Sequence, residues 1–230
     1  MFSGFDFDVI SRALPYLWQG MLFSLNLTLL AMVGGIVLGT LLALMRLSSF
    51  AMLSLPAGAY VNLMRSIPLI LVIFWFYFLV PLVVKAVSGD EYAQGIGPFY
   101  SALIAFTLFE AAYYCEIIRA GIQSVPRGQV NAAYALGLTY PQAMAHVVLP
   151  QAFRNMVPIL LTQGIILFQD TSLVYVVGLT DFMGAASKVA QRDGRLVEMY
   201  LFAALVYFIL CFAASRSVKR LQARFSASSS

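Results

Sequence analysis

Charge is what this sequence has least of. Only 10% of its 230 residues are Asp, Glu, Lys or Arg, against about 25% in soluble domains. Five stretches carry none: 13–45, 66–84, 92–109, 155–169 and 199–215. With 61% of residues apolar, no polar helix faces remain to meet water, which argues against a soluble enzyme built on buried helices. Lysine is scarce. Lys85, Lys188 and Lys219 are the three present, and none follows a glycine. A phosphate-cradling G-x-x-x-x-G-K-[ST] loop is therefore missing, so this polypeptide is no P-loop ATPase. The single histidine, His146, falls in a segment without acids, which leaves a serine–histidine–carboxylate hydrolase without its third member. Two cysteines, Cys115 and Cys211, fall inside expected spans and make neither a disulfide framework nor a thiolate metal site. The opening "MFSGFDFDVI" has two Asp and no basic residue, so a cleaved signal peptide is not expected. No internal repeat is visible, and the one low-complexity stretch, the tail "SASSS", is expected to be disordered.

What is there is membrane-length apolar sequence. A spanning helix needs about 20 mostly apolar residues. Five spans are expected, near 18–45, 58–84, 98–118, 155–179 and 197–215. The expected class is an all-α polytopic membrane protein. It divides into an outer N-terminal segment 1–17, a membrane domain 18–215 containing an inner loop 126–150, and a basic tail 216–230. The net charge of +4 does not point to nucleic acid, because the placement of the basic residues explains it. With the N-terminus outside, nine Lys and Arg fall at inner segments (Arg46, Arg65, Arg119, Arg127, Arg154, Arg216, Lys219, Arg220, Arg224) and five at outer ones. That asymmetry is the positive-inside pattern.

Ala31, Gly35, Gly39 and Ala43 recur every fourth residue in the first span. Such a stripe lets helix backbones approach closely in lipid, and packing within one subunit is expected ahead of a subunit interface. In the second span Pro68 removes a backbone donor and is expected to kink the helix near 62–64. Arg65 lies about a turn inside the boundary. It either snorkels to the inner surface or faces a transport path. Segments 85–98 and 181–198 are expected as short outer loops.

Glu110 falls mid-span, and Asp170 sits in "FQDTSLVYVVG" with Thr171 and Ser172 beside it. A carboxylate at the centre of a bilayer costs about 2.5–3.5 kcal/mol on insertion scales, so such residues face a wet cavity or a partner. Two readings stand: a polar packing cluster, or the lining of a solute path. Glu116 and Arg119 are three apart and are expected to pair at the inner boundary.

Segment 126–154, "PRGQVNAAYALGLTYPQAMAHVVLPQAFR", has no membrane-length apolar run. Pro126 and Gly128 close what precedes it, "QVNAAYAL" favours a short helix, and Gly137 suits the left-handed residue that ends one. Thr139 with Gln142 three residues on reads as a capping box that starts another, and Pro150 is expected to end it. The product is a short helical elbow on the inner surface. It is either a docking knob or an interfacial amphipathic linker.

The spacing of Asn131-Ala132-Ala133, three residues, Gly137, nine residues, Val147, one residue, Leu149-Pro150 resembles the EAA loop of permease subunits in binding-protein-dependent ABC importers, with Asn131 where that motif has Glu. "EIIRAGIQSVPRGQ", "VVLPQAFRNMVP", "QDTSLVYVVG" and "YVNLMRSIPLI" are similar to the polar amino acid subfamily. The resemblance implies the type I importer permease fold, location in the bacterial inner membrane, and an acidic amino acid, glutamate or aspartate, as the solute. It also implies partners: a second permease subunit, identical or different; two cytoplasmic ATPase subunits, which bind the ATP; and a periplasmic amino-acid-binding protein. No cofactor, no catalytic residue and no metal ligand is expected on this chain. Asn131, Ala132, Ala133, Gly137, Leu149 and Pro150 become the ATPase-coupling residues, and Asp170, Thr171, Ser172, Glu110 and Arg65 the candidates for the solute path. The competing classes are an ion-coupled secondary transporter or channel using Glu110 and Asp170, and a structural membrane subunit.

Overall fold

The computed structural model describes residues 8–89 and 96–227. Eight helices run in order: α1 (Asp8–Leu47), α2 (Ala51–Arg65), α3 (Leu69–Ser88), α4 (Gly97–Gln123), α5 (Arg127–Ala135), α6 (Tyr140–Val177), α7 (Phe182–Asp193) and α8 (Leu196–Ala227), with no strand among the described residues. Five of them, α1, α3, α4, α6 and α8, are long and apolar enough to cross a membrane. Residues 1–7, 90–95 and 228–230, which hold parts of the expected N-terminal segment, first outer loop and tail, lie outside the described residues.

The boundaries follow local chemistry with three departures. The expected second span, 58–84, is two helices. α2 stops at Arg65, where the Ser66 amide bonds to the Asn62 and Leu63 carbonyls. Pro68 then stands in an extended conformation. A proline also pushes the residue before it out of the helical region. The result is a break at 66–68, where the sequence led us to expect a kink near 62–64.

Pro150 does not end a helix either. α6 runs through it, because a π-helical turn at Met144–Val148 lies immediately before. A proline ring clashes with the carbonyl four residues back, here that of His146, which sits in the widened turn. Pro81 in α3 has the same arrangement, with a π turn at Trp75–Leu79. The extra residue of each π turn absorbs the misfit.

The third departure is α7. Segment 181–198, expected as an outer loop, contains a helix with Phe182, Ala185, Ala186, Val189 and Ala190 buried. Its small residues let it pack closely on α1: a Cβ added at Gly20 would stand 2.7 Å from the Asp181 carbonyl oxygen.

Two compact units divide the chain. One holds the chain up to Val33, Ile67–Thr107 and Ile165–Ala214; the other holds Gly34–Ser66, Leu108–Gly164 and the chain from Ser215. In the first, Leu17 and Met21 of α1, Phe182 and Val189 of α7, and Met199 of α8 share one core. Tyr207 lies against Phe168 and Phe182 there, with ring centroids 5.4 Å from each. In the second, Ala43, Val61, Ala112, Cys115 and Ile118 form a core, and Gly35, Gly39 and Ala43 of the small-residue stripe serve it. A Cβ at Gly35 would meet Tyr114 at 3.0 Å and the Glu110 Cβ at 3.1 Å, so these glycines pack against α4 within the one chain.

Candidate functional site

The elbow is built from its caps. α5 ends in a Schellman motif: the Gly137 amide donates to the Tyr134 carbonyl at 2.9 Å and the Leu138 amide to the Ala133 carbonyl at 3.1 Å. Gly137 has φ +80°, and nothing lies within 4 Å of where its Cβ would be. Glycine is therefore required by backbone conformation and not by crowding. α6 starts at Thr139, whose amide donates to Gln142 Oε1 at 2.9 Å, completing the expected capping box.

A small apolar core fixes the bend in place. Val125, Val148 and Ala152 are buried, with Val130 and Met144 against them. Asn155 Nδ2 donates to Ser124 Oγ at 2.9 Å, tying α6 to the end of α4. Ala133 faces inward, while Asn131, Ala132, Gly137, Leu149 and Pro150 are exposed. Tyr134, Leu136 and Tyr140 are exposed as well, Leu136 to 83%. The bend is thus anchored and presents tyrosine and leucine to its surroundings. Tyr134, Leu136 and Tyr140 are not among the coupling residues expected from the sequence, most of which are small. Their signal was large apolar side chains in a segment too short to span a membrane.

The intramembrane polar residues fall into two groups. Glu110 and Arg65 belong to the second unit and Asp170, Thr171 and Ser172 to the first. Glu110 is fully buried on α4 and accepts a hydrogen bond from Gln163 Nε2 at 3.1 Å. Asp170 and Ser172 are half-buried where α6 tightens into a 3₁₀ turn at Thr171–Val177. Thr171 is buried, and its hydroxyl donates to the Phe168 carbonyl at 2.7 Å, which leaves that proton unavailable to a solute.

Arg65 stands 4.0 Å from Glu116 Oε1, with its guanidinium carbon 5.5 Å from the centroid of the Tyr113 ring. Glu116 also contacts Arg46 from the last turn of α1, and pairs with Arg119 at 2.6 Å, the expected i,i+3 bond. Arg46 was legible in the sequence only as a topology signal.

Outside the spans, Asp181 caps α7, accepting from the Met183 and Gly184 amides at 2.9 and 2.8 Å. The Phe182 amide donates to Ser24 Oγ at 3.0 Å. Burial pushes the Asp181 carboxyl up to about 6, against the pull of those amides and of Lys188.

Five membrane-length helices, with a short capped elbow ahead of the fourth, define a polytopic membrane protein. The chain belongs to the binding-protein-dependent transport system inner membrane component family, whose pattern matches residues 35–227. It is 55% identical over 220 residues to the glutamate/aspartate import permease protein GltK of Escherichia coli O157:H7, covering 96% of this chain and 98% of that one. It is 36% identical to the probable glutamine ABC transporter permease protein GlnM of Bacillus subtilis (strain 168), covering 90% and 91%. In three dimensions it matches a chain from a crystal structure of an amino acid ABC transporter with histidines, with TM-score 0.86, 30% identity and 95% and 98% coverage. An inward-facing MetNI methionine ABC transporter shares the fold, at TM-score 0.63 and 20% identity.

This is a multi-pass inner-membrane permease of an ABC importer, and a non-enzymatic component of it. Family membership sets aside the secondary-transporter, channel and purely structural readings.

Proposed function

We propose that this permease carries acidic amino acids, glutamate and aspartate, from periplasm to cytoplasm. Identity of 55% with GltK along nearly the whole of both chains supports the solute. A periplasmic binding protein delivers it, a second permease, identical or different, completes the pathway, and two cytoplasmic ATPase subunits hold the ATP. This chain needs no cofactor of its own. The N-terminus is periplasmic and the basic tail 216–230 cytoplasmic, with 1–17 leading into the membrane domain 18–215. The excess of basic residues at the proposed inner segments supports this orientation.

The observation that carries the mechanism is the elbow 126–150, capped at Gly137 and Thr139 and packed on Val125, Val148 and Ala152. Asn131, Ala132, Ala133, Gly137, Leu149 and Pro150 are its coupling residues. An ATPase that grips the exposed tyrosines moves α4 and α6 with it, because the bend cannot yield. Asn131 in place of Glu removes one charge from that grip and leaves the helix intact. Of the candidates for the route, the half-buried Asp170 and Ser172 meet the solute's ammonium group, and Glu110 and Thr171 remain candidates in this reading only by their polarity. Arg65 is the last candidate for the route; its guanidinium makes a long, 4.0 Å ion pair with Glu116 and lies over the Tyr113 ring, and its side chain stays partly exposed.

Proteoliposomes holding the permease, ATPase and binding protein test this. Glutamate uptake is expected to require ATP and the binding protein, and uptake after ATP is exhausted would overturn the reading. Asp170→Asn, with assembly verified, is expected to slow uptake. Wild-type affinity and rate in that variant would remove Asp170 from the route.

A further inference from the structure

Arg46, Arg65 and Arg119 surround one carboxylate, that of Glu116. Arg46 and Arg65 stand in the last turns of α1 and α2, where the partial negative charge of a helix C-terminus favours a cation. That offsets part of the charge, and an excess of positive charge remains. Across the whole unit the imbalance is larger. It holds nine Lys and Arg (Arg46, Arg65, Arg119, Arg127, Arg154, Arg216, Lys219, Arg220, Arg224) against two acids, Glu110 and Glu116.

The cluster is open at Arg65. Its side chain is 44% exposed and its ion pair to Glu116 is long, at 4.0 Å. Asn62, exposed one turn earlier on the same helix, offers an amide donor and no charge. Next to Arg46 along the chain, the end of α1 and the start of α2 expose apolar side chains: Leu44, Leu47, Phe50 and Leu53, with Phe50 at 70%. Guanidiniums bind phosphate oxygens with paired N–H donors, and basic pockets among spanning helices attract anionic headgroups. A small dicarboxylate has no use for the apolar flank, whereas acyl chains do.

We propose that the Arg46–Arg65–Arg119 cluster, with Asn62, seats the phosphate of an anionic phospholipid whose chains run along the exposed leucines and Phe50. The seat is independent of which way the chain is oriented, and of the solute.

The test uses the assembled transporter in nanodiscs of mixed phosphatidylglycerol and phosphatidylcholine, with native mass spectrometry counting the lipid retained on extraction. Wild type is expected to enrich phosphatidylglycerol. Arg65→Gln is expected to cut that enrichment about fivefold, the value of one surface arginine towards an anionic lipid. Asn62→Glu sets a carboxylate one turn from Arg65 and is expected to cut it as far, by filling the seat. Arg65→Lys keeps the charge and most of the enrichment. No preference for phosphatidylglycerol in wild type, or wild-type enrichment in either Arg65→Gln or Asn62→Glu, would overturn the proposal. Displacement of the lipid by millimolar inorganic phosphate or glutamate would also overturn it, since the site would then be one for soluble anions.

Discussion

Gly39 lies so close to Tyr114 that a Cβ at residue 39 would stand 2.8 Å from the tyrosine's own Cβ. The Ala111 carbonyl oxygen and the Cys115 amide nitrogen would be 2.9 and 3.0 Å away. Two of these three neighbours are backbone, so neither α1 nor α4 can make room by turning a side chain. Gly39→Ala is expected to destabilise the protein by about 1–3 kcal/mol, the usual cost of overpacking, and Gly39→Leu to prevent assembly. Thermal unfolding in detergent measures the first. An unchanged midpoint in Gly39→Ala would mean that the helices are looser here than described.

Glu116 gathers arginines from α1, α2 and α4. Glu116→Gln leaves those guanidiniums facing one another with only a neutral acceptor between them. A loss of about 2–3 kcal/mol is expected, in the range of a charged hydrogen bond. Arg46→Met in the same background is expected to restore part of it, by removing one of the unneutralised charges. Additive losses in the double variant would show that the two residues act separately.

Asp181 gives a pH dependence whose sign is fixed by burial. Its carboxyl is raised from the usual 3.8 to about 6, so the folded chain binds this proton more tightly than the unfolded one. The stabilisation is complete below pH 3.8 and is lost as pH rises through about 6, a swing of about 3 kcal/mol. Asp181→Asn cannot ionise and is expected to be flat across that window. Midpoints of wild type and variant measured from pH 4 to 7 test it, and parallel curves would count against a proton on Asp181.

Gly137 is held at φ +80° with open space around it. Replacement therefore strains the backbone and makes no clash. A non-glycine residue in the left-handed region costs about 1–2 kcal/mol, with Asn the most tolerant. Gly137→Asn is expected to keep most ATP-driven uptake, Gly137→Val to lose it while the spans still insert, and Gly137→Trp to uncouple ATP hydrolysis from uptake or stop assembly. Normal uptake by Gly137→Trp would remove the bend from the coupling path.

Much of this was legible in the residues themselves. The five spans follow from charge-free runs, because a helix in lipid satisfies its backbone without help from neighbours. Gly137 and the Thr139–Gln142 box set the elbow's limits through bonds no more than five residues long. The Glu116–Arg119 pair follows from helical spacing alone. These are short-range effects, and no distant partner alters them.

Tertiary structure decided the rest. Pro68 breaks the chain while Pro81 and Pro150 are absorbed into continuous helices, and the π turns responsible leave no mark in composition. α7 looked like an exposed loop because its residues are small and mixed. It is buried because Ser24 satisfies its first amide and Gly20 gives it room, and both lie far away in sequence on α1. Arg46 was a topology signal, and Arg65 a snorkelling or path-facing cation, until packing brought Glu116 between them. Which polar group is satisfied, and by whom, depends on which helices meet, and the linear order of residues does not contain that.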